Sequence, residues 1–395
     1  MISFDEAVEL VRSVARPLGT ETIALTDAVG RVLAQPVVAQ IDSPRSDVSA
    51  MDGYAVRDAD LARLPVSLTV VGESFAGASW SGTVEPGTCA RIFTGAAVPS
   101  GADRVVIQEN VRREGDRAMI EAFPGEARHI RPRGSDFATG EQLLPASRIL
   151  DPRAIVAAAA ADVAELDVYR RPRVRILGTG DELVEPGSAR ERRDAVPESV
   201  SLGVAALAEQ YGATCVGRAR LRDDLSAMHG AAAEAVEQAD VVVVTGGASV
   251  GEKDFARAMF QPLGLDLIFS KAAIKPGKPV WLGRVGRALV MGLPGNPTSA
   301  LVTGRLLLAP LLAGLTGRPI GPGLRWRKLP LALPLGACGD RETFHRARTV
   351  DGAAEILSFQ DSCAQKALAE ADLLVRQAAH SPAIEAGAMV DVLDL

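Results

Sequence analysis

The feature that most constrains this chain is the run Val241-Val242-Val243-Val244, which passes directly into Thr245-Gly246-Gly247-Ala248-Ser249-Val250-Gly251-Glu252-Lys253-Asp254. Four consecutive β-branched apolar residues, with no polar alternation, read as a strand buried on both faces, as strands of parallel sheets are. The small residues that follow let the main chain approach an anion and offer it backbone N–H groups. A carboxylate, Asp254, closes the loop. An acid beside an anion cradle makes chemical sense where a cation is bound as well, so the segment predicts a metal-bridged phosphate ligand.

Two more turns follow predicted strands in the same region. Gly178-Thr179-Gly180-Asp181-Glu182-Leu183 follows residues 174–177, and Gly292-Leu293-Pro294-Gly295-Asn296-Pro297-Thr298-Ser299 follows residues 288–291. Helical patterns at 199–211, 225–238 and 298–312, with a further strand at 214–219, complete a strand–loop–helix alternation across 171–317. Such alternation predicts a doubly wound, mostly parallel α/β sheet, whose ligands bind beyond the carboxyl ends of the strands.

The rest of the 395 residues has other textures, as expected of a multidomain α/β plus β protein. Short strand-like runs at 68–71, 90–92, 104–108 and 118–121, separated by Gly/Pro turns, mark residues 38–144 as an inserted β domain. Segments 1–37 and 145–170 are expected to form one discontinuous helical domain, with a second short helix at 25–33 and another at 150–164. Residues 318–395 read as a small C-terminal β domain with strands at 344–350, 354–357 and 389–393.

A net charge of −6 and only 4% aromatic residues argue against a nucleic-acid surface. The four cysteines lack a C-x-x-C pair and read as reduced thiols, and the four histidines show no ligand spacing. No basic stretch followed by an apolar core opens the sequence, and the apolar runs 154–163 and 306–315 are too short to span a membrane. A cytoplasmic location is expected.

Each glycine-containing turn alone also fits an ordinary strand-to-helix connection. The first lacks the third glycine of a dinucleotide fingerprint, and the second misses a P-loop because no Ser/Thr follows Lys253. In the third, Pro297 opens a helix whose first N–H groups suit an anion. Glu182 and Asp254 suit Mg²⁺, which takes one or two carboxylates with phosphates and water; both also fit as acids of a helix first turn. Lys271, Lys275 and Lys278, the last two stiffened by Pro276 and Pro279, make a cationic edge. Together these groups are set up to cleave a phosphoanhydride by electrostatic stabilisation.

Several motifs, in this order, resemble the molybdopterin molybdenumtransferases (MoeA type, including the E domain of gephyrin). They are Ser49-Ala50-Met51-Asp52-Gly53-Tyr54-Ala55-Val56, Phe93-Thr94-Gly95-Ala96-Ala97-Val98-Pro99, the three turns above, and Lys275-Pro276-Gly277-Lys278-Pro279. The resemblance implies four domains, an elongated homodimer and a Mg²⁺-dependent insertion of molybdate into adenylylated molybdopterin with release of AMP. It implies that Asp52, Thr94 and Asp136 enter a cleft completed by the partner's α/β domain. Glu182, Asp223 and Asp254 would be the acidic groups on the metal and AMP side. Gly246, Gly247, Ser249 and Gly251 would cradle the ligand. Lys271, Lys275, Lys278, Pro294, Pro297 and Ser299 would line the anion side, and Arg346 and Ser362 would hold molybdate. Asp52-Gly53 also fits a hairpin turn, Asp136 a turn acid and Arg346 a surface cation.

The chain departs from the family's pattern in two places. Val196-Pro197-Glu198-Ser199 replaces the usual Asp-Ser-Asn, which implies loss of a polar ligand contact. Asp361-Ser362-Cys363-Ala364 and Ala371-Asp372-Leu373 alter the last domain. The competing reading is a non-catalytic homodimeric molybdopterin-binding scaffold or chaperone; retention of Asp52, Glu182, Asp254 and the motif lysines favours turnover.

Overall fold

Strand Val241–Thr245 lies inside a six-stranded sheet, with all five residues buried. It pairs in parallel with Arg173–Thr179 on one side and Ala288–Leu293 on the other. Thr214–Leu221 adds a fourth parallel strand beyond Arg173–Thr179. The structure is a computed structural model and describes residues 1–247, 255–318 and 324–395. Two strands that periodicity did not single out, Trp281–Val285 and Asp266–Phe269, extend the sheet antiparallel. Gly283 hides the first of them by interrupting its apolar pattern, and packing requires it: a Cβ there would sit 2.7 Å from Leu265.

Helix Val200–Gln210 covers one face and Leu225–Gln238 the other, each feeding its own apolar core. Because the connections change face between Arg173–Thr179 and Val241–Thr245, the sheet has its topological switch point there. The helical stretch that follows strand Ala288–Leu293, Pro297–Leu315, is longer than the apolar run visible in sequence, because Thr303, Gly304 and Arg305 disguise it. By length and composition it would cross a membrane, yet 94% of it is buried within the fold. Its polar groups are satisfied internally: Thr303 Oγ1 donates to the Ser299 carbonyl at 2.6 Å, and Arg305 Nε donates to the Asp394 carbonyl at 2.7 Å. A π-helical turn at Gly304–Leu308 accommodates the tight packing of Gly304 against Leu207.

Helix Phe4–Val14 starts with a reciprocal capping box between Ser3 and Glu6. Its buried stripe, Phe4, Ala7, Val8 and Val11, joins the core under the α/β sheet, and the Phe4 ring meets Phe344 edge-on at 4.9 Å. The second helix expected at 25–33 is absent; a single 3-10 turn, Leu25–Asp27, stands there. Val32 and Leu33 bridge to Ile149 and Val168 instead, and Thr20–Ala24 pairs antiparallel with Glu165–Tyr169. Segments 1–37 and 145–170 therefore meet through strand pairing as much as through helix Pro152–Ala160, because their β-branched residues find partners across the chain.

The insert is a six-stranded sheet ordered Arg104–Ile107, Gly53–Val56, Thr88–Ile92, Val66–Ser74, Arg117–Ile120, Arg112–Glu114. After the α/β sheet, Glu342–Val350, Leu373–Gln377, Met389–Asp394 and Arg327–Pro330 form the last sheet, with Ala353–Ile356 paired to the first of these. Residues Ile274–Lys275 join its edge in parallel with Glu342–Thr343, so the lysine motif ties two sheets together.

Candidate active site

The carboxyl ends of the three central parallel strands open on a cavity of about 720 Å³. Thr179 and Gly180 end the first strand, Thr245, Gly246 and Gly247 the second, and Pro294, Gly295 and Asn296 the third. Gly246 and Gly247 take φ values of +89° and +63°, which side-chain-bearing residues rarely adopt. A Cβ on Gly246 would also sit 2.6 Å from the Thr179 carbonyl, and one on Gly295 would sit 3.1 Å from Gly246. The small residues are what allow the loops to touch. Thr179 Oγ1 donates to the Thr245 carbonyl at 3.4 Å, linking the first two strand ends.

Of the residues expected to form the site, Glu182, Asp223, Gly246, Gly247, Pro294 and Pro297 line this cavity together. Glu182 and Asp223 are exposed at its mouth. Gly180, at φ +148°, packs so closely that a Cβ would stand 2.8 Å from both Glu182 carboxylate oxygens. Ser249, Gly251 and Asp254 lie outside the described residues. Lys271, Lys275 and Lys278 are not part of the lining, although Pro279 is. Ser299 is buried within its helix, with its carbonyl bonded to Thr303.

The helix end at Pro297 serves a second purpose. The Thr298 N–H donates to the Ser362 carbonyl at 3.2 Å, and Asn296 Nδ2 donates to Ser362 Oγ at 2.8 Å, docking the last domain onto the cleft rim. Cys363 and Gln365 from that domain line the cavity. Arg346 is not a surface cation: it is 1% exposed. Its Nη1 donates to Thr298 Oγ1 at 3.3 Å and to the Ala364 carbonyl at 3.4 Å, while its Nε has no partner. Burial pushes its basicity down, against the opposing pull of Asp361.

Asp52, Thr94 and Asp136 sit on the insert and do not line this chain's own cavity. Asp52 is no mere hairpin acid. Its Oδ1 accepts from the Thr94 N–H and the Thr94 hydroxyl, both at 2.8 Å, and these bonds hold its pKa below the usual carboxylate range, with a smaller contribution from Arg91. Asp136 is exposed, and its N–H donates to the Ser43 carbonyl. Sequence reading passed over Glu198, Asn296, Cys363 and Gln365 as lining residues. Asn296 lay within a motif, and Glu198 within a flagged departure.

Fold and cleft define a multidomain protein built around a ligand cavity at the switch point of an open α/β sheet. Residues 2–161 match the MoeA N-terminal region (domain I and II), and residues 175–314 match a domain described as "Probable molybdopterin binding domain". The molybdopterin molybdenumtransferase of Nostoc sp. is 38% identical over 338 residues, 82% of this chain and 76% of that protein. Molybdopterin molybdenumtransferase 2 of Mycobacterium tuberculosis is 34% identical over 100% of both chains. The crystal structure of the molybdopterin biosynthesis MoeA protein from Pyrococcus horikoshii OT3 superposes with a TM-score of 0.85, at 26% identity over 100% of both chains. The chain belongs to the molybdopterin molybdenumtransferase family.

Proposed function

We propose that this chain inserts molybdenum into molybdopterin, as an enzyme of molybdenum-cofactor biosynthesis. The observation that carries the reading is the convergence of Glu182, Asp223, Gly246, Gly247, Pro294 and Pro297 on one cavity at the strand tips. In the finer form of this proposal, the substrate is adenylylated molybdopterin, molybdate is the metal donor, and AMP leaves when the phosphoanhydride is cleaved. The reaction would run in the cytoplasm.

Gly246 and Gly247 bring main-chain N–H groups close to the ligand without side-chain obstruction. Glu182 offers an exposed carboxylate beside Gly180, which fits the all-oxygen coordination Mg²⁺ prefers. Glu182, with Asp254 from the adjoining loop, would hold the ion, and bound Mg²⁺ would neutralise charge on the phosphates. Ser362 stands on the segment that brings Cys363 to the cavity, and Arg346, on strand Glu342–Val350, reaches that segment at the Ala364 carbonyl, a suitable place to receive molybdate through hydroxyl and guanidinium donors.

The Asp52–Thr94 pair lies away from its own chain's cavity, which supports a homodimer in which the insert of one protomer completes the cleft of the other. Incubation with adenylylated molybdopterin, molybdate and Mg²⁺ should yield AMP and molybdenum cofactor, and Asp254→Ala should abolish both with the fold intact. Mixing inactive Asp52→Ala and Glu182→Ala proteins should restore about a quarter of wild-type activity, through heterodimers carrying one intact site. No recovery after proven subunit exchange would refute the shared site.

A further inference from the structure

A single carboxylate, that of Asp42, holds both shoulders of the turn that carries Asp136. Its Oδ1 accepts the Thr139 N–H at 2.7 Å and the Thr139 hydroxyl at 2.8 Å, and its Oδ2 accepts a short bond from Arg133 Nε. Arg133 stands three residues before Asp136, and Thr139 three residues after it. Asp47 adds a second hold, its Oδ1 accepting the Arg133 N–H at 2.8 Å. From the main chain, the Asp136 N–H donates to the Ser43 carbonyl at 2.9 Å and the Gly134 N–H to the Pro44 carbonyl at 3.0 Å. Residues 132–136 belong to no strand or helix, so these contacts are what fix them.

The segment that supplies Asp42 and Asp47 runs on into the Asp52 turn. Val48–Ser49 pairs antiparallel with Ile130–Arg131. The Ser49 N–H donates to the Ala96 carbonyl at 2.9 Å, and the Gly95 N–H donates to the Ser49 carbonyl at 2.8 Å. Residues 42–52 are thus one spine on which Asp52, Thr94 and Asp136 are all mounted. Asp42 repeats along it the device seen at Asp52, with one oxygen taking both the N–H and the hydroxyl of a threonine. The Thr139 bonds, joined by the Arg133 guanidinium, hold the Asp42 pKa down to about 2, so the clamp stays charged at neutral pH. The Asp42 side chain is 12% exposed, with both oxygens bonded within the protein, whereas Asp136 is exposed.

Resting on the proposed shared site, we propose that Asp42 is a positioning residue for molybdenum insertion: it clamps the 133–139 turn so that the Asp136 carboxylate enters the partner's cleft in register with Asp52. Asp42 acts through Asp136 and does not touch the substrate. The clamp matters because a misplacement of about 1 Å at a reacting group can cost about a hundredfold in rate.

AMP release by the full-length protein, followed in single turnovers at saturating substrate, tests this. Asp42→Ala should slow release about tenfold or more with the circular dichroism spectrum unchanged. In an Asp136→Asn background the same substitution should change the rate less than about twofold, because the group it positions is already disabled; independent roles would multiply the two losses. Amide hydrogens of 132–139 should exchange about tenfold faster in Asp42→Ala, while strand Val66–Ser74 keeps its protection. Should Asp42→Ala fail to fold, Arg133→Gln frees one shoulder through a side chain that is 68% exposed. It should slow the same step about two- to fivefold, again only where Asp136 is intact.

Multiplied losses, or a folded Asp42→Ala with the wild-type rate, overturn the assignment and leave the proposed function standing. A fully active Asp136→Asn removes the group to be positioned and overturns it as well. A wild type that releases no AMP from adenylylated molybdopterin loses the proposed function with it.

Discussion

Thr94 gives both its N–H and its hydroxyl to a single oxygen of Asp52, each at 2.8 Å. Because these bonds favour the charged form, the folded protein holds Asp52 more acidic than the ordinary value of 3.8. The associated stability is complete above pH 3.8 and fades as pH falls through the lowered folded value. Thr94→Val should move the Asp52 titration up toward 3.8, and Thr94→Ser should return it. Carboxyl-resolved NMR titration reads this directly, and an unmoved titration in Thr94→Val would show that the hydroxyl does not matter.

Gly292 lies against the Trp281 indole, where a Cβ would meet Nε1 at 1.9 Å. Both residues belong to paired strands that end near the cleft, so neither can step aside cheaply. Gly292→Ala should destabilise the protein by about 1–3 kcal/mol, the usual range for overpacking. Urea unfolding followed by tryptophan emission checks this; an unchanged midpoint would mean that the sheet yields there.

Cys363 lines the cavity, and its thiol donates to Asp361 Oδ1 at 3.0 Å. That bond, with the charge of Asp361, pushes the thiol pKa above its ordinary 9.0. Asp361→Asn should therefore speed alkylation of Cys363 by iodoacetamide at pH 8, about three- to tenfold. Bound substrate should slow it. Cys89, pushed up to about 12 by burial, serves as the unreactive internal reference. Equal rates in wild type and Asp361→Asn, read by peptide mass spectrometry, would remove Asp361 as the controlling group.

Arg346 is a buried cation without an ion pair among the described residues. Burying such a charge costs stability, so its retention suits a role that needs positive charge near the cleft. Arg346→Met should leave the melting temperature equal or higher while raising the KM for molybdate about tenfold or more, the scale of one charge-assisted hydrogen bond. A lower melting temperature with unchanged KM would assign Arg346 to structure alone.

Local chemistry made much of this legible in sequence. The valine run gave its strand away because a strand buried on both faces has no reason to alternate, and helix 225–238 matched its pattern to the residue. Trp281–Val285 and the edge strand Asp266–Phe269 escaped because short strands containing glycine or acids owe their pairing to neighbours rather than to themselves. In the site, Glu182 and Gly246 were visible as motif residues. Glu198 was not, because a glutamate before a helix looks like a cap until the fold shows which cavity it floors. The surroundings of Arg346 were equally hidden: Thr298 and Ala364 lie 48 and 18 residues away.

Phe4 rests against Phe344, and Asp5 takes a bond from Arg376 across 371 residues of chain. During translation, the first helix to leave the ribosome must wait for nearly the whole polypeptide before its aromatic anchor is covered. A nascent chain arrested short of residue 326 would leave Phe4 without either aromatic partner, Trp326 or Phe344, and open to any chaperone or protease that reads exposed aromatic rings.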